Sequence, residues 1–188
     1  MSRLPSLLCL AIVFFLAATL NVRAAVVGTV TKVQNEAQIG TTTAVVGAPV
    51  HMNDRLRTGA NARLQVTFDD NSSLTLGENA NVVIDRFVFN PNKSSAQVVL
   101  KATEGALRFA GGKIEEMHQK NIVVNTSYAG LGVRGTQFWA GPIDGQYGVL
   151  LLNGKVSVSN RAGAVMLSHP GWGTDIRRRS RLRQKAEP

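Results

Sequence analysis

The chain has 188 residues, 44% of them hydrophobic and 6% aromatic, with a formal net charge of +9 at neutral pH. That length and apolar fraction suit one domain with a real hydrophobic core and leave no room for two well-buried ones. The single cysteine, Cys9, falls in an N-terminal apolar run, which excludes disulfides, a thiol nucleophile and a cysteine zinc site from the folded body.

In chain order, Met1-Ser2-Arg3 leads into the apolar stretch Leu7 to Leu20, followed by Val22-Arg23-Ala24 with small residues where a signal peptidase reads. The stretch is about 14 residues, short of the roughly 20 that span a bilayer, so residues 1–24 read as a signal peptide cleaved after Ala24. The expected location is the periplasm or the outside of the cell. Leu7-Leu8 before Cys9 are too bulky for a lipoprotein signal.

From Val26 to about Leu167 the apolar residues fall at every second position, the pattern of half-buried strands. Leu64, Val66 and Phe68 alternate up to the polar Asp69-Asp70-Asn71, and Leu74 and Leu76 resume beyond it, which predicts a hairpin. Val82, Ile84, Phe87 and Phe89 precede Asn90-Pro91-Asn92, a second predicted reversal. Val98 and Leu100, then Leu107 and Phe109, then Ile122 and Val124 continue the pattern, and only Gly112 to Gln119 could form a helical turn. Gly130-Leu131-Gly132-Val133-Arg134-Gly135 matches the dinucleotide fingerprint as a string, but Thr136-Gln137-Phe138-Trp139 after it alternates like a strand where that fingerprint needs a helix. Tyr147, Val149 and Leu151 lead to Asn153-Gly154, read as a two-residue hairpin turn, with Val156 and Val158 beyond it. The expected fold is all-β, short stacked strands in a single solenoid-like or sandwich-like domain over residues 25–174, with little helix.

Residues 175–188 carry Arg177, Arg178, Arg179, Arg181, Arg183 and Lys185 against Asp175 and Glu187. They read as a disordered, solvated basic tail that holds much of the positive charge, which weakens any argument that the body binds nucleic acid. Such a tail can attach to anionic lipid or polysaccharide, each basic group contributing about 1 kcal/mol near an anionic bilayer.

Chemistry-bearing patterns are scarce. His51, His118 and His169 stand singly, without the spacing that puts two imidazoles on one face for a metal. Asp69-Asp70 and Glu115-Glu116 read as solvated turn carboxylates, since neighbours on a strand point to opposite faces. Neither a nucleophile elbow nor a phosphate-cradling loop is present. No catalytic residue, metal ligand or cofactor is assigned, and the chain is expected not to be an enzyme.

Thr58-Gly59-Ala60-Asn61-Ala62-Arg63-Leu64-Gln65-Val66-Thr67-Phe68, Leu74-Thr75-Leu76-Gly77, Val133-Arg134-Gly135-Thr136-Gln137-Phe138 and Val149 to Val158 together resemble the FecR domain, over roughly residues 28 to 173. The resemblance implies an all-β extracytoplasmic module for sensing or interaction. It marks Gly59, Ala62, Leu64, Gly135, Thr136, Phe138 and Gly154 as family positions with a structural role. Arg134, between Val133 and Gly135, is either paired internally or aimed at a partner. The best understood members are inner-membrane regulators that resemble anti-sigma factors and receive a signal from an outer-membrane transporter. This sequence shows neither their cytoplasmic helical part nor a transporter-docking part, so sigma-factor regulation is not expected to carry over. The expected function is a binding or sensing module for a protein or cell-envelope component. The rival is an envelope structural or adhesion component held on anionic surface polymers by the basic tail.

Overall fold

A computed structural model describes residues 24–177 and 180–186; the signal-peptide reading lies outside them except at Ala24. The strands in chain order are β1 (Val26–Gln34), β2 (Ala37–Ile39), β3 (Thr42–Thr43), β4 (Pro49–His51), β5 (Arg55–Thr58), β6 (Arg63–Phe68), β7 (Ser73–Leu76) and β8 (Asn81–Asn90). There follow β9 (Ser95–Glu104), β10 (Leu107–Ala110), β11 (Gln119–Thr126), β12 (Gly130–Ile143), β13 (Gln146–Asn160), β14 (Gly163–Leu167), β15 (Trp172–Arg177) and β16 (Ser180–Ala186). Two short 3₁₀ turns, Pro91–Lys93 and Lys113–Glu116, are the helical content among the described residues. The all-β expectation holds, and both turns fall where proline, asparagine and glycine announce them.

Every described strand belongs to one 16-stranded sheet whose spine is the β12–β13 hairpin. On one flank of β12, its first half pairs with β11 and its second half with β10. The sheet therefore divides into two arms, one running β11-β9-β8-β5-β2-β3 and the other β10-β7-β6-β1-β4. The arms fold over each other because each has one apolar face: Leu64, Val66 and Phe68 of β6 are buried, as are Val82, Ile84 and Phe87 of β8. Phe68 and Phe87 stack across the interface with ring centroids 4.6 Å apart, and Phe109 meets Phe138 at 6.2 Å beneath the spine. One sheet thus makes its own sandwich.

Three details differ from the sequence reading. Asn153-Gly154 does not turn the chain: β13 runs straight through it, and the spine reverses at Asp144-Gly145, where both residues have positive φ (48° and 75°) as a two-residue hairpin requires. Asp70 is not a solvated turn carboxylate but fully buried, and Glu115 is partly buried beside Lys120, while Asp69 and Glu116 are exposed as expected. Finally, the segment read as a solvated tail contains β16, which pairs antiparallel with β15. An open sheet edge satisfies the backbone N–H and C=O groups of an incoming strand whatever the polarity of its side chains.

Tyr147, at the start of β13, is buried and stacks on Tyr128 at 4.6 Å. Burial first, and the neighbouring Tyr128 phenol second, push its pKa well above that of an ordinary tyrosine. The unfolded chain releases this proton near pH 10 and the folded chain does not, so the unfolded state binds fewer protons and stability falls as pH rises past about 10. Tyr147→Phe is expected to shrink that fall, read as the difference in denaturation midpoint between about pH 9 and about pH 11.

Candidate functional site

The outer face of the spine is where unabsorbed chemistry collects. Along β12, Leu131 and Val133 point into the core, so Gly132 and Arg134 face out; along β13, Val156 and Val158 point in, so Lys155 and Ser157 face out. The register sets Arg134 opposite Lys155 and Gly132 opposite Ser157. On β11, at the other flank, Lys120 shares the inward side of Ile122 and Val124. Its Nζ lies 3.6 Å from Glu115 Oε2 and also donates to the Glu115 carbonyl, so the 3₁₀ turn Lys113–Glu116 fixes its position.

These groups rim a trough of about 560 Å3 lined also by Asn121, Ile122, Met166 and Ser168. Gly132 opens its floor: a Cβ added there would meet nothing nearer than Ser157 Cβ at 3.8 Å. Arg134 and Lys155 are exposed. Two cationic side chains side by side can hold an arriving carboxylate, phosphate or sulfate through charge-assisted hydrogen bonds.

Immediately beyond Arg134 the ladder slips: the register passes from Arg134↔Lys155 to Gln137↔Asn153, leaving Gly135 and Thr136 opposite Gly154. Gly135 (φ 64°) and Gly154 (φ 83°) make this bulge together. It re-aims the spine, so Phe138 returns to the core while Gln137 and Trp139 face out. Of the other family positions, Ala62 and Leu64 are buried, and Gly59 joins two turns by donating to the Glu36 carbonyl (2.9 Å) and accepting from Asn79 N–H (3.0 Å).

Sequence reasoning singled out Arg134 alone; Lys120 and Lys155 emerge only from strand pairing. The tail arginines are not gathered at this trough by any described contact. Arg177 ends β15, Arg181 and Arg183 lie on β16, and Arg178 and Arg179 fall outside the described residues. The histidines are dispersed: His51 lies beside Asp54 (Nδ1 to Oδ2, 3.4 Å), the backbone of His118 donates to Ser94 Oγ, and His169 stacks on Trp172. Among the described residues no group of three His, Cys, Asp or Glu side chains could hold a metal ion, and no helix is long and apolar enough to cross a membrane.

The described residues thus form a single curled all-β sheet with almost no helix. The family model described as "FecR protein" matches residues 54–157, more than half of the chain, and the chain belongs to that family. The match runs from the turn before β5 to Ser157 in β13, so it takes in the bulge, Arg134 and Lys155. Two crystal structures of a candidate anti-sigma factor from Parabacteroides distasonis share the fold. One has a TM-score of 0.58 at 19% identity and the other 0.55 at 20%. In each comparison 71% of this chain is covered and this chain spans 59% of the other. No curated protein sequence matches.

Proposed function

We propose that the chain is a non-catalytic, extracytoplasmic binding and sensing module that engages an anionic surface of a protein or cell-envelope component through the trough around Arg134. The observation that carries this reading is the pairing of Arg134 with Lys155 across two adjacent strands beside the floor opened by Gly132. Membership of the FecR family and the likeness to a candidate anti-sigma factor support a sensing role with a protein partner. The apolar run before Ala24 supports export through a cleaved signal peptide, with action in the periplasm or beyond it.

The test is site-specific crosslinking in intact cells. A photoreactive residue at position 134 is expected to give a discrete adduct, whereas one at Arg57, exposed on β5 three strands along the arm from β11, gives none. Lys155→Glu, introduced beside the position-134 probe, is expected to reduce that adduct about tenfold, the reversal of one exposed rim charge. Adducts from position 57 but not from position 134 would place the contact elsewhere and defeat the reading.

A further inference from the structure

A second trough, of about 570 Å3, lies on the outer face across β6, β7, β10 and the second half of β12. The Trp139 indole stands at its β12 end. Trp139 and Gly141 both face out from β12, and a Cβ built on Gly141 would fall 2.8 Å from Trp139 Cζ2 and 2.6 Å from Ala106 Cβ. The indole therefore lies over the glycine and against Ala106, with one face on the sheet and, because Trp139 is only half-buried, the other open. Arg108 stands beside it in register on β10, its Nη2 donating to Gln137 Oε1 at 3.0 Å, which holds the guanidinium on the trough side of the bulge. Arg63 on β6 is exposed at the opposite wall, where Glu78, accepting from Asn61 N–H at 3.1 Å, adds a carboxylate.

An indole with a guanidinium beside it in register has a specific complement. The C–H face of a pyranose ring stacks on the electron-rich face of an aromatic ring, and a sugar carboxylate accepts two parallel hydrogen bonds from arginine. A peptide strand is a poorer fit. β6, β7, β10 and β12 are each paired on both sides here, so no free backbone edge is available for strand addition. Nucleic acid binding would ask for successive aromatic platforms along a groove, and this trough has one.

We propose that this trough binds a carboxylated polysaccharide, with a sugar ring on Trp139 and its acid group at Arg108. The proposal deepens the reading of the chain as an envelope-binding module and names a site separate from the Arg134 trough.

The chain has two tryptophans, so Trp172→Phe leaves Trp139 as the sole fluorescent reporter. Titration of that variant with oligogalacturonate, oligomannuronate and soluble peptidoglycan strands is expected to change its emission for at least one of them. Trp139→Ala and Arg108→Ala, checked by circular dichroism for wild-type folding, are expected to weaken binding of that ligand to the wild-type background by about tenfold or more in calorimetry. A neutral cello-oligosaccharide is expected to bind at least about tenfold more weakly. Arg134→Glu is expected to leave saccharide affinity unchanged. The proposal falls if none of the three acidic saccharides binds, if Trp139→Ala binds as the parent does, or if a single-stranded oligonucleotide or poly-glutamate competes equally well. Position-134 crosslinking is read separately, so loss of one result with survival of the other shows which site was misassigned.

Discussion

Gly154→Ala is expected to cost about 3–5 kcal/mol, enough to leave a domain of this size mostly unfolded or marginal. Two terms add. The backbone at Gly154 has φ 83°, where an L side chain is strained, and a Cβ there would sit 1.2 Å from the Gly135 carbonyl oxygen. The first term alone is worth about 1–2 kcal/mol. The second cannot be relieved by a rotamer change, because the obstructing atom belongs to the opposite strand of the same bulge. Gly171→Ala separates them, since Gly171 has φ 85° with nothing within 4 Å of its Cβ position. Chemical denaturation of both variants is the measurement: the midpoint shift for Gly154→Ala should exceed that for Gly171→Ala by about 2 kcal/mol or more. Equal shifts would mean that the bulge relaxes freely and does not anchor the spine.

That bulge also explains a misreading. Asn-Gly predicts a two-residue turn because both positions tolerate positive φ, but a glycine bulge asks the same of a single residue. Asn153-Gly154 met the second demand, and Asp144-Gly145, carrying the same chemical signal, met the first. Local patterns that depend on one buried face were readable: Leu64, Val66 and Phe68 against Leu76 and Leu74 pair as their alternation implies. Pairings that depend on distant segments were not. Nothing local in Ser95–Glu104 announces that it runs parallel to Gln119–Thr126, or that one strand, β12, serves two arms.

The same limit governs the candidate sites. Arg134 stood out because glycine and valine flank it, yet its cationic neighbours come from residues 14 positions before it and 21 after it, joined only by the sheet. Trp139 read only as part of an alternating strand. The clue to its platform was Gly141 two positions on, since a residue on the same face that lacks a side chain leaves room for the indole to lie down. β16 was hidden for a different reason: composition argues against a segment building its own core, but an edge strand needs only a partner backbone.

Asp70→Ala is expected to cost about 3–5 kcal/mol, although the residue belongs to a hairpin turn and its neighbour Asp69 is exposed. The Asp70 carboxylate is fully buried. Its Oδ1 accepts from Ser72 N–H at 3.0 Å and from the Ser72 hydroxyl at 2.5 Å, its Oδ2 accepts from Ile114 N–H at 3.0 Å, and its backbone carbonyl accepts from Lys113 N–H at 2.7 Å. The side chain therefore ties the β6–β7 hairpin to the 3₁₀ turn Lys113–Glu116, and alanine would strand its donors in the interior at about 1–3 kcal/mol each before relaxation. Asparagine keeps one acceptor and turns an amide donor toward either Ser72 or Ile114, so Asp70→Asn should fall between alanine and wild type. Asp69→Ala should stay within about 0.5 kcal/mol. Because Glu115 on that turn positions Lys120, loosening the turn reaches the Arg134 trough as well. Trypsin under native conditions should cut after Lys113 faster in Asp70→Asn than in wild type, with the position-134 adduct reduced in parallel. Wild-type cleavage rates and stability in both Asp70 variants would show that the turn is held by the packing of Ile114 alone and that the carboxylate is dispensable.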